Sequence, residues 1–204
     1  MKKNYKKYIL VTGGAGYIGS IVVNKLIKQK FKVIIIDNLS SGHRRLIHKK
    51  SIFINIDILN YNKLLLKLKK YEIQSIFHFA ASIKVDESQK NPNKYFLNNV
   101  IGTENILKIA LQKKIENFIF SSTSAVYGDS SKKSVSEKDS TIPKNNYGLT
   151  KLFAETLVKQ YSKEGKFKYA ILRYFNVIGA DPKLQNGQIM SDSLFKKLSL
   201  SVIK

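Results

Sequence analysis

Tyr147 and Lys151 stand four residues apart in Tyr147-Gly148-Leu149-Thr150-Lys151, a spacing that puts a phenol and an ammonium on one helix face. An ammonium beside a phenol favours the phenolate and lowers a pKa that starts near 10, so the pair can take up and return a proton around neutrality. The same spacing also describes an amphipathic helix with a lysine stem laid along its surface. The surrounding residues favour chemistry. Upstream, Ser121-Ser122-Thr123-Ser124 concentrates hydroxyls at the end of a predicted apolar strand, and the C-terminal edge of a parallel sheet is where ligands bind. One of these hydroxyls is expected to touch the reacting oxygen, with cap and turn roles left to the others.

A second constellation lies at the start of the chain. In Thr12-Gly13-Gly14-Ala15-Gly16-Tyr17-Ile18-Gly19, glycines 14, 16 and 19 satisfy G-x-G-x-x-G, and Gly13 satisfies the wider G-x-x-G-x-x-G. The first permits a tight turn, the middle one lets a pyrophosphate approach the backbone and the helix N-terminus, and the last lets helix and strand pack closely. Asp37, 18 residues beyond Gly19 at the end of the next predicted strand, is placed to bond the adenosine ribose hydroxyls. Its carboxylate would repel a 2′-phosphate, which favours NAD over NADP, although Arg44 and Arg45 follow in the next loop. Asp57-Ile58 could bracket the adenine and Phe79-Ala80-Ala81 line the cofactor floor, with core packing the alternative for Phe79 and its alanines.

The elements that must position these residues are legible as alternation. Short runs rich in Ile, Val and Phe at 8–11, 32–36, 52–56, 75–79, 118–120 and 169–172 read as buried strands. Helical patterns lie between them at 18–29, 61–70, 92–111 and 146–163, the third opening with Asn91 as N-cap and Pro92 at the first helical position. This predicts an α/β fold, a doubly wound parallel sheet of Rossmann type. Segment 127–145 lacks periodicity and reads as an active-site loop. Beyond Pro182, residues Leu194, Leu198 and Val202 behind Ser191-Asp192 predict a further helix, so 1–182 reads as one domain and 183–204 as the start of another region.

Composition bounds the partners. With 36 basic and 14 acidic residues the formal charge is +22, which asks first for a nucleic-acid or membrane-surface reading. Only Arg44, Arg45 and Arg173 carry the planar fork that reads bases and phosphates, and the lysines are spread along the whole chain. A solvated lysine-rich surface is the better account, with no specific nucleic-acid partner expected. There is no cysteine, hence no disulfide or thiolate site, and His43, His48 and His78 are too scattered to predict a metal. No window approaches ~18 consecutive apolar residues, so no membrane partner is expected and the cytoplasm is the default location.

Taken together, the chain resembles the extended short-chain dehydrogenase/reductases, and within them the UDP-sugar 4-epimerase branch. The segments that carry the resemblance are 11–19, Asp37-Asn38-Leu39-Ser40-Ser41-Gly42-His43, His78-Phe79-Ala80-Ala81, Asn98-Asn99-Val100-Ile101-Gly102-Thr103, 120–128, 147–151 and Arg173-Tyr174-Phe175-Asn176, in family order to about Asp181. The resemblance implies bound NAD and interconversion of UDP-glucose and UDP-galactose, an isomerisation by transient oxidation and re-reduction at sugar C4. Tyr147 would take the 4-hydroxyl proton, Thr123 would hydrogen-bond the same oxygen, and Lys151 would hold the nicotinamide ribose. By the same matching Gly13, Gly16, Tyr17, Ile18, Gly19, residues 37–42, Asp57, Ile58, 79–81, Asn98 and Phe175 would line the cofactor, and Asn176 the sugar-nucleotide diphosphate. A homodimer through helices 92–111 and 146–163 is implied too.

Two features depart from related branches. Family 4,6-dehydratases place an acid directly after the catalytic threonine, whereas Ser124 and Ala125 follow Thr123 here. A decarboxylase or sugar dehydrogenase is excluded less easily. Family epimerases also continue into a smaller region that grips the uridine, while this sequence stops at Lys204. The expectation is therefore an incomplete substrate region, which leaves a working epimerase and an impaired NAD-binding remnant both open, with a polyanion-binding surface a distant third.

Overall fold

A computed structural model describes residues 7–130, 133–181, 186–187 and 201. Six parallel strands run in the order β3-β2-β1-β4-β5-β6: β1 Tyr8–Thr12, β2 Lys32–Asp37, β3 Ile52–Asn55, β4 Ile73–His78, β5 Asn117–Thr123 and β6 Lys168–Tyr174. The chain starts in the middle, winds outward to β3, then returns to β4 on the other side of β1. The strand order therefore reverses between β1 and β4, and both the glycine turn and the Phe79-Ala80 segment leave the sheet at that crevice.

Alternation along the strands explains the two layers. Leu10, Ile34, Ile36, Ile76, Phe118 and Phe120 point to one face, where Leu64 and Leu68 of α2 (Tyr61–Leu68), Ile106 and Ala110 of α5 (Gly102–Lys113), and Ala154 and Val158 of α6 (Asn146–Gly165) close the core. Ile9, Val11, Val33 and Ile35 point to the other, against Val23 and Leu26 of α1 (Tyr17–Lys28). A strand covered on both faces must be apolar at every position, which is why β2 reads Val-Ile-Ile-Ile. Each such side chain contributes about 1.5–3 kcal/mol on burial. The far side differs: Lys168, Tyr169 and Ala170 of β6 are exposed.

Between β4 and β5 the predicted single helix 92–111 is three segments. α4 (Pro92–Phe96) and α5 flank a π-helical stretch, Leu97–Ile101. Asn91 occupies the N-cap but its side chain makes no capping bond, contrary to expectation. Ahead of it α3 (Val85–Lys90) was not predicted, since only Ser88 of Val-Asp-Glu-Ser-Gln-Lys is buried and no apolar period marks it. The helix expected from Ser191 lies outside the described residues.

Candidate active site

The first half of the site is built from backbone. Gly13 leaves β1 with φ 69°, and a Cβ there would stand 2.6 Å from the Ala80 nitrogen, so the turn presses directly on the Phe79-Ala80 segment. α1 then begins behind Gly16 with no side-chain cap and no acidic residue in its first turn. No carboxylate on its own first turn offsets its positive end, and a Cβ on Gly16 would touch only the Gly13 carbonyl at 3.3 Å. Tyr17 Oη donates to the Gly179 carbonyl at 2.7 Å, tying the start of α1, just ahead of Ile18 and Gly19, to the chain beyond β6.

Asp37 ends β2 and is only 8% exposed. Its Oδ2 accepts from the Ala15 N–H at 3.0 Å and its Oδ1 from the Leu39 N–H at 2.8 Å. Each carboxylate oxygen retains capacity for a second donor, which a ribose diol would supply. Asn38 donates to Asp57 Oδ2 at 2.8 Å and accepts from the Ser40 N–H at 3.0 Å. Ser41 is exposed, and a Cβ on Gly42 would stand 2.9 Å from Asp37 Oδ1. Ile58 is buried against Gly102. An anion-seeking helix end beside an acid at the next strand's tip fits a dinucleotide, pyrophosphate on the first and ribose on the second.

The second half is built from side chains. Thr123 ends β5, buried, with Oγ1 accepting from the Ala125 N–H at 3.1 Å and its side chain near enough to the Tyr147 hydroxyl to favour the phenolate. Three local features bring Tyr147 there. Asn145 Oδ1 caps α6 by accepting from the Gly148 N–H at 2.7 Å, and Ser88 Oγ accepts from the Tyr147 N–H at 3.1 Å. A Cβ on Gly148 would stand 2.6 Å from the Ala125 carbonyl, so glycine allows the helix to approach the end of β5. Lys151 is one turn further on, 2% exposed, with Nζ 4.2 Å from the centre of the Phe120 ring.

Burial reverses one expectation. Tyr147 is pushed above its ordinary pKa by loss of solvent, an effect that the Thr123 hydroxyl opposes. Lys151 is pushed down to about 7, again by burial, with the Glu155 carboxylate pulling upward. The lysine therefore gives up its proton more readily than a solvated one. Beneath it His78 is held near a pKa of about 3 by burial and by Lys151. Its Nδ1 faces Thr12 Oγ1 at 2.6 Å and its Nε2 faces Thr103 Oγ1 at 2.9 Å. Thr103 donates to the Asn99 carbonyl at 2.6 Å, which makes it the acceptor at His78 and places the proton of the neutral ring on Nε2.

Thr123, Tyr147 and Lys151 are thus brought together, and 79–80 is brought to the glycine turn, with Ala81 half-buried just beyond. Asn98 sits in the π-helical stretch and donates to Asn99 Oδ1 at 3.1 Å. Phe175 and Asn176 follow Tyr174, the register partner of Thr123, so they leave the same sheet edge, but both are exposed, Phe175 by 68%. Sequence reasoning gave no role to Ser88, Asn99 or Glu155. Asn99 binds Ser82 through its N–H and carbonyl and reaches Thr150 Oγ1 at 3.2 Å. Glu155 carried a usable signal, since it lies one turn beyond Lys151 on the same face. Among the described residues no group of His, Asp and Glu is placed to hold a metal ion, and no helix is long and apolar enough to cross a membrane.

A doubly wound sheet with a glycine turn at its switch point and a Thr–Tyr–Lys group at the next strand edge defines a class. The chain belongs to the NAD dependent epimerase/dehydratase family, whose profile matches residues 9–199. It is 43% identical over 184 residues to the UDP-glucose 4-epimerase of Halalkalibacterium halodurans, an alignment covering 90% of this chain and 54% of that protein. Its fold is similar to the UDP-glucose 4-epimerase of Brucella ovis in complex with NAD, with TM-score 0.85 and 39% identity over 90% of this chain and 56% of that one. It is similar also to the UDP-glucose 4-epimerase of Thermotoga maritima with UDP-glucose, with TM-score 0.82 and 35% identity over 88% and 60% of the two chains. The chain spans just over half the length of the relatives it matches.

Proposed function

We propose that this chain binds NAD and carries the proton-transfer centre of an epimerase that interconverts UDP-glucose and UDP-galactose. The observation that supports this most directly is the convergence of buried Thr123 at the end of β5 with Tyr147 and, one helical turn on, buried Lys151 of α6, on the same sheet edge as the glycine turn and one strand removed from it. NAD supplies reversible hydride acceptance. The chain's own residues do the rest. The positive end of α1 takes the pyrophosphate, and Asp37 orients the adenosine ribose. Tyr147, in its phenolate form, receives the proton of the sugar 4-hydroxyl and later returns it, while Thr123 bonds the same sugar oxygen and keeps it in line. Lys151 as the ammonium, a form that a neighbouring phenolate favours, supplies the positive charge that holds Tyr147 as phenolate. Asn176, beyond β6, faces the diphosphate.

Ser124 and Ala125 after Thr123 supply no carboxyl for elimination, which argues against dehydration at the same centre. The exposed Phe96, Leu97, Leu149 and Phe153 on α4, the π-helical stretch and α6 support a homodimer through these helices, testable by solution mass. The main test is an assay of the purified chain with UDP-galactose, scored for UDP-glucose, with released NAD quantified. Product from the wild type and none from Tyr147→Phe supports the epimerase. Bound NAD without product assigns an NAD-binding protein that lacks turnover. Absence of both NAD and product overturns the proposal.

A further inference from the structure

We propose that Glu155 is a positioning residue whose carboxylate locks the strand end carrying Thr123 to the helix carrying Tyr147 and Lys151. The proposal rests on the reading of Thr123 and Tyr147 given above. Glu155 is fully buried on α6. Its Oε1 accepts from Ser122 Oγ at 2.5 Å and from Arg173 Nε at 3.0 Å, and its Oε2 accepts from Arg173 Nη2 at 2.7 Å. One side chain thus joins three elements: α6, β5 through Ser122 and β6 through Arg173.

The placement of each partner gives the clamp its purpose. Ser122 directly precedes Thr123, and Arg173 is its register partner across the β5–β6 ladder. The Arg173 guanidinium also lies 4.8 Å from the centre of the Tyr127 ring, just past Thr123 in the chain. On α6, Tyr147, Lys151 and Glu155 follow at successive turns, so fixing Glu155 fixes the axial position and rotation of the face that bears the other two. Ala154 and Val158 also pack α6 on the sheet, but apolar contacts of this kind tolerate sliding, whereas a two-bond Arg–carboxylate fork is directional. A buried ion pair is weak evidence of stabilisation, because desolvation offsets most of its attraction. Its geometric constraint is the part with a consequence. The charged and titratable groups that act on it are Arg173 on β6 and Lys151 on the same helix, with Tyr127 stacked on Arg173 and His78 next to Lys151.

The test reads Tyr147 directly in the purified full chain without substrate. The phenolate absorbance of each variant, less that of the same variant with Tyr147→Phe, gives the titration midpoint of Tyr147. Thr123→Ala removes the hydroxyl that favours the phenolate and raises that midpoint by roughly half to one pH unit. Glu155→Gln is expected to reproduce most of that rise, and the double variant Thr123→Ala/Glu155→Gln to add little more. Ser122→Ala cuts the link to β5 with the carboxylate charge and the Arg173 fork in place. It is expected to move the midpoint in the same direction by less, again without adding to Thr123→Ala, and it carries the test if Glu155→Gln does not fold. A role confined to stability would lower the melting temperature and leave the Tyr147 midpoint in place. An unchanged midpoint in Glu155→Gln and Ser122→Ala, or shifts that simply add to that of Thr123→Ala, overturns the clamp while the site reading stands. An unchanged midpoint in Thr123→Ala overturns both together.

Discussion

Asp37 and Glu155 are both buried carboxylates, and they are satisfied in opposite ways. Asp37 accepts from two backbone N–H groups within its own β–α–β unit, Ala15 and Leu39. Glu155 accepts from two side chains on two other strands, Ser122 and Arg173. The half of the molecule around Asp37 gets its geometry from backbone turns, and the half around Glu155 from side chains that meet only after the sheet is assembled. The first tolerates most side-chain changes and no added Cβ at its tightest turn. The second tolerates helix-surface changes and loses its chemistry with single polar atoms.

Gly13→Val is the harshest way to break the first half. Valine would have to adopt φ 69° with its Cβ against the Ala80 backbone, strain plus overlap of roughly 3 kcal/mol or more. A melting temperature close to wild type, with NAD still retained on purification, would show that the turn is looser than described. Tyr147→Phe makes the corresponding cut in the second half and should separate function from fold. It removes one hydroxyl, so stability should change by no more than about 1 kcal/mol and NAD retention should persist. Turnover of UDP-galactose should fall by roughly 100-fold to 10,000-fold. Comparable turnover by the phenylalanine variant would take the proton step away from Tyr147.

The same contrast governs what could be read in the sequence. Backbone-made features announce themselves locally: glycines at fixed spacing, an aspartate where an apolar run stops, Ile and Val at every position of a doubly covered strand. Hence the sheet, its parallel sense and the residues of the glycine turn were legible, with strand ends off by at most three residues. The side-chain network was not, because its members are 33 and 18 residues apart and meet through tertiary packing. Ser122, which continues the inward alternation of Phe118 and Phe120, and Glu155 one turn past Lys151, were the available signals. α3 and the π-helical stretch left none, the first being nearly all polar and the second continuous with the helices on either side. The expected fall in the Tyr147 pKa was reversed because spacing reports proximity on a helix and says nothing of burial.

Lys151→Met sharpens this point through pH. The native lysine is held at about 7, against an ordinary value of 10.5, so between those limits the unfolded chain binds a proton that the folded chain does not. Wild-type stability contributed by this group therefore rises with pH across that window and is lowest below about pH 7, where the cost of burying the charge is fully present. The methionine variant, without ligand, should be the more stable protein below neutrality, by a few kcal/mol less whatever the Phe120 contact contributes. That advantage should shrink toward zero near pH 10. Melting curves of both proteins across this range check it, and an advantage that grows with pH would mean that Lys151 is solvated.

Asp37→Ala has the smallest expected effect and tests the division between the two carboxylates. It removes the ribose acceptor and leaves the Ala15 and Leu39 N–H groups without their partner, so NAD binding should weaken about tenfold, near 1.4 kcal/mol. The penalty against NADP should narrow at the same time, since the repelling charge is gone. Tyr147 lies at a different strand edge and its titration midpoint should not move. Glu155→Gln should do the converse, moving the Tyr147 midpoint while NAD affinity stays within a few-fold of wild type. Paired titrations of NAD and of the tyrosine on these two variants therefore read one half of the molecule each. A variant that shifted both readouts would show the two halves coupled through the sheet, the shortest path being β1 to β4, where Thr12 meets His78.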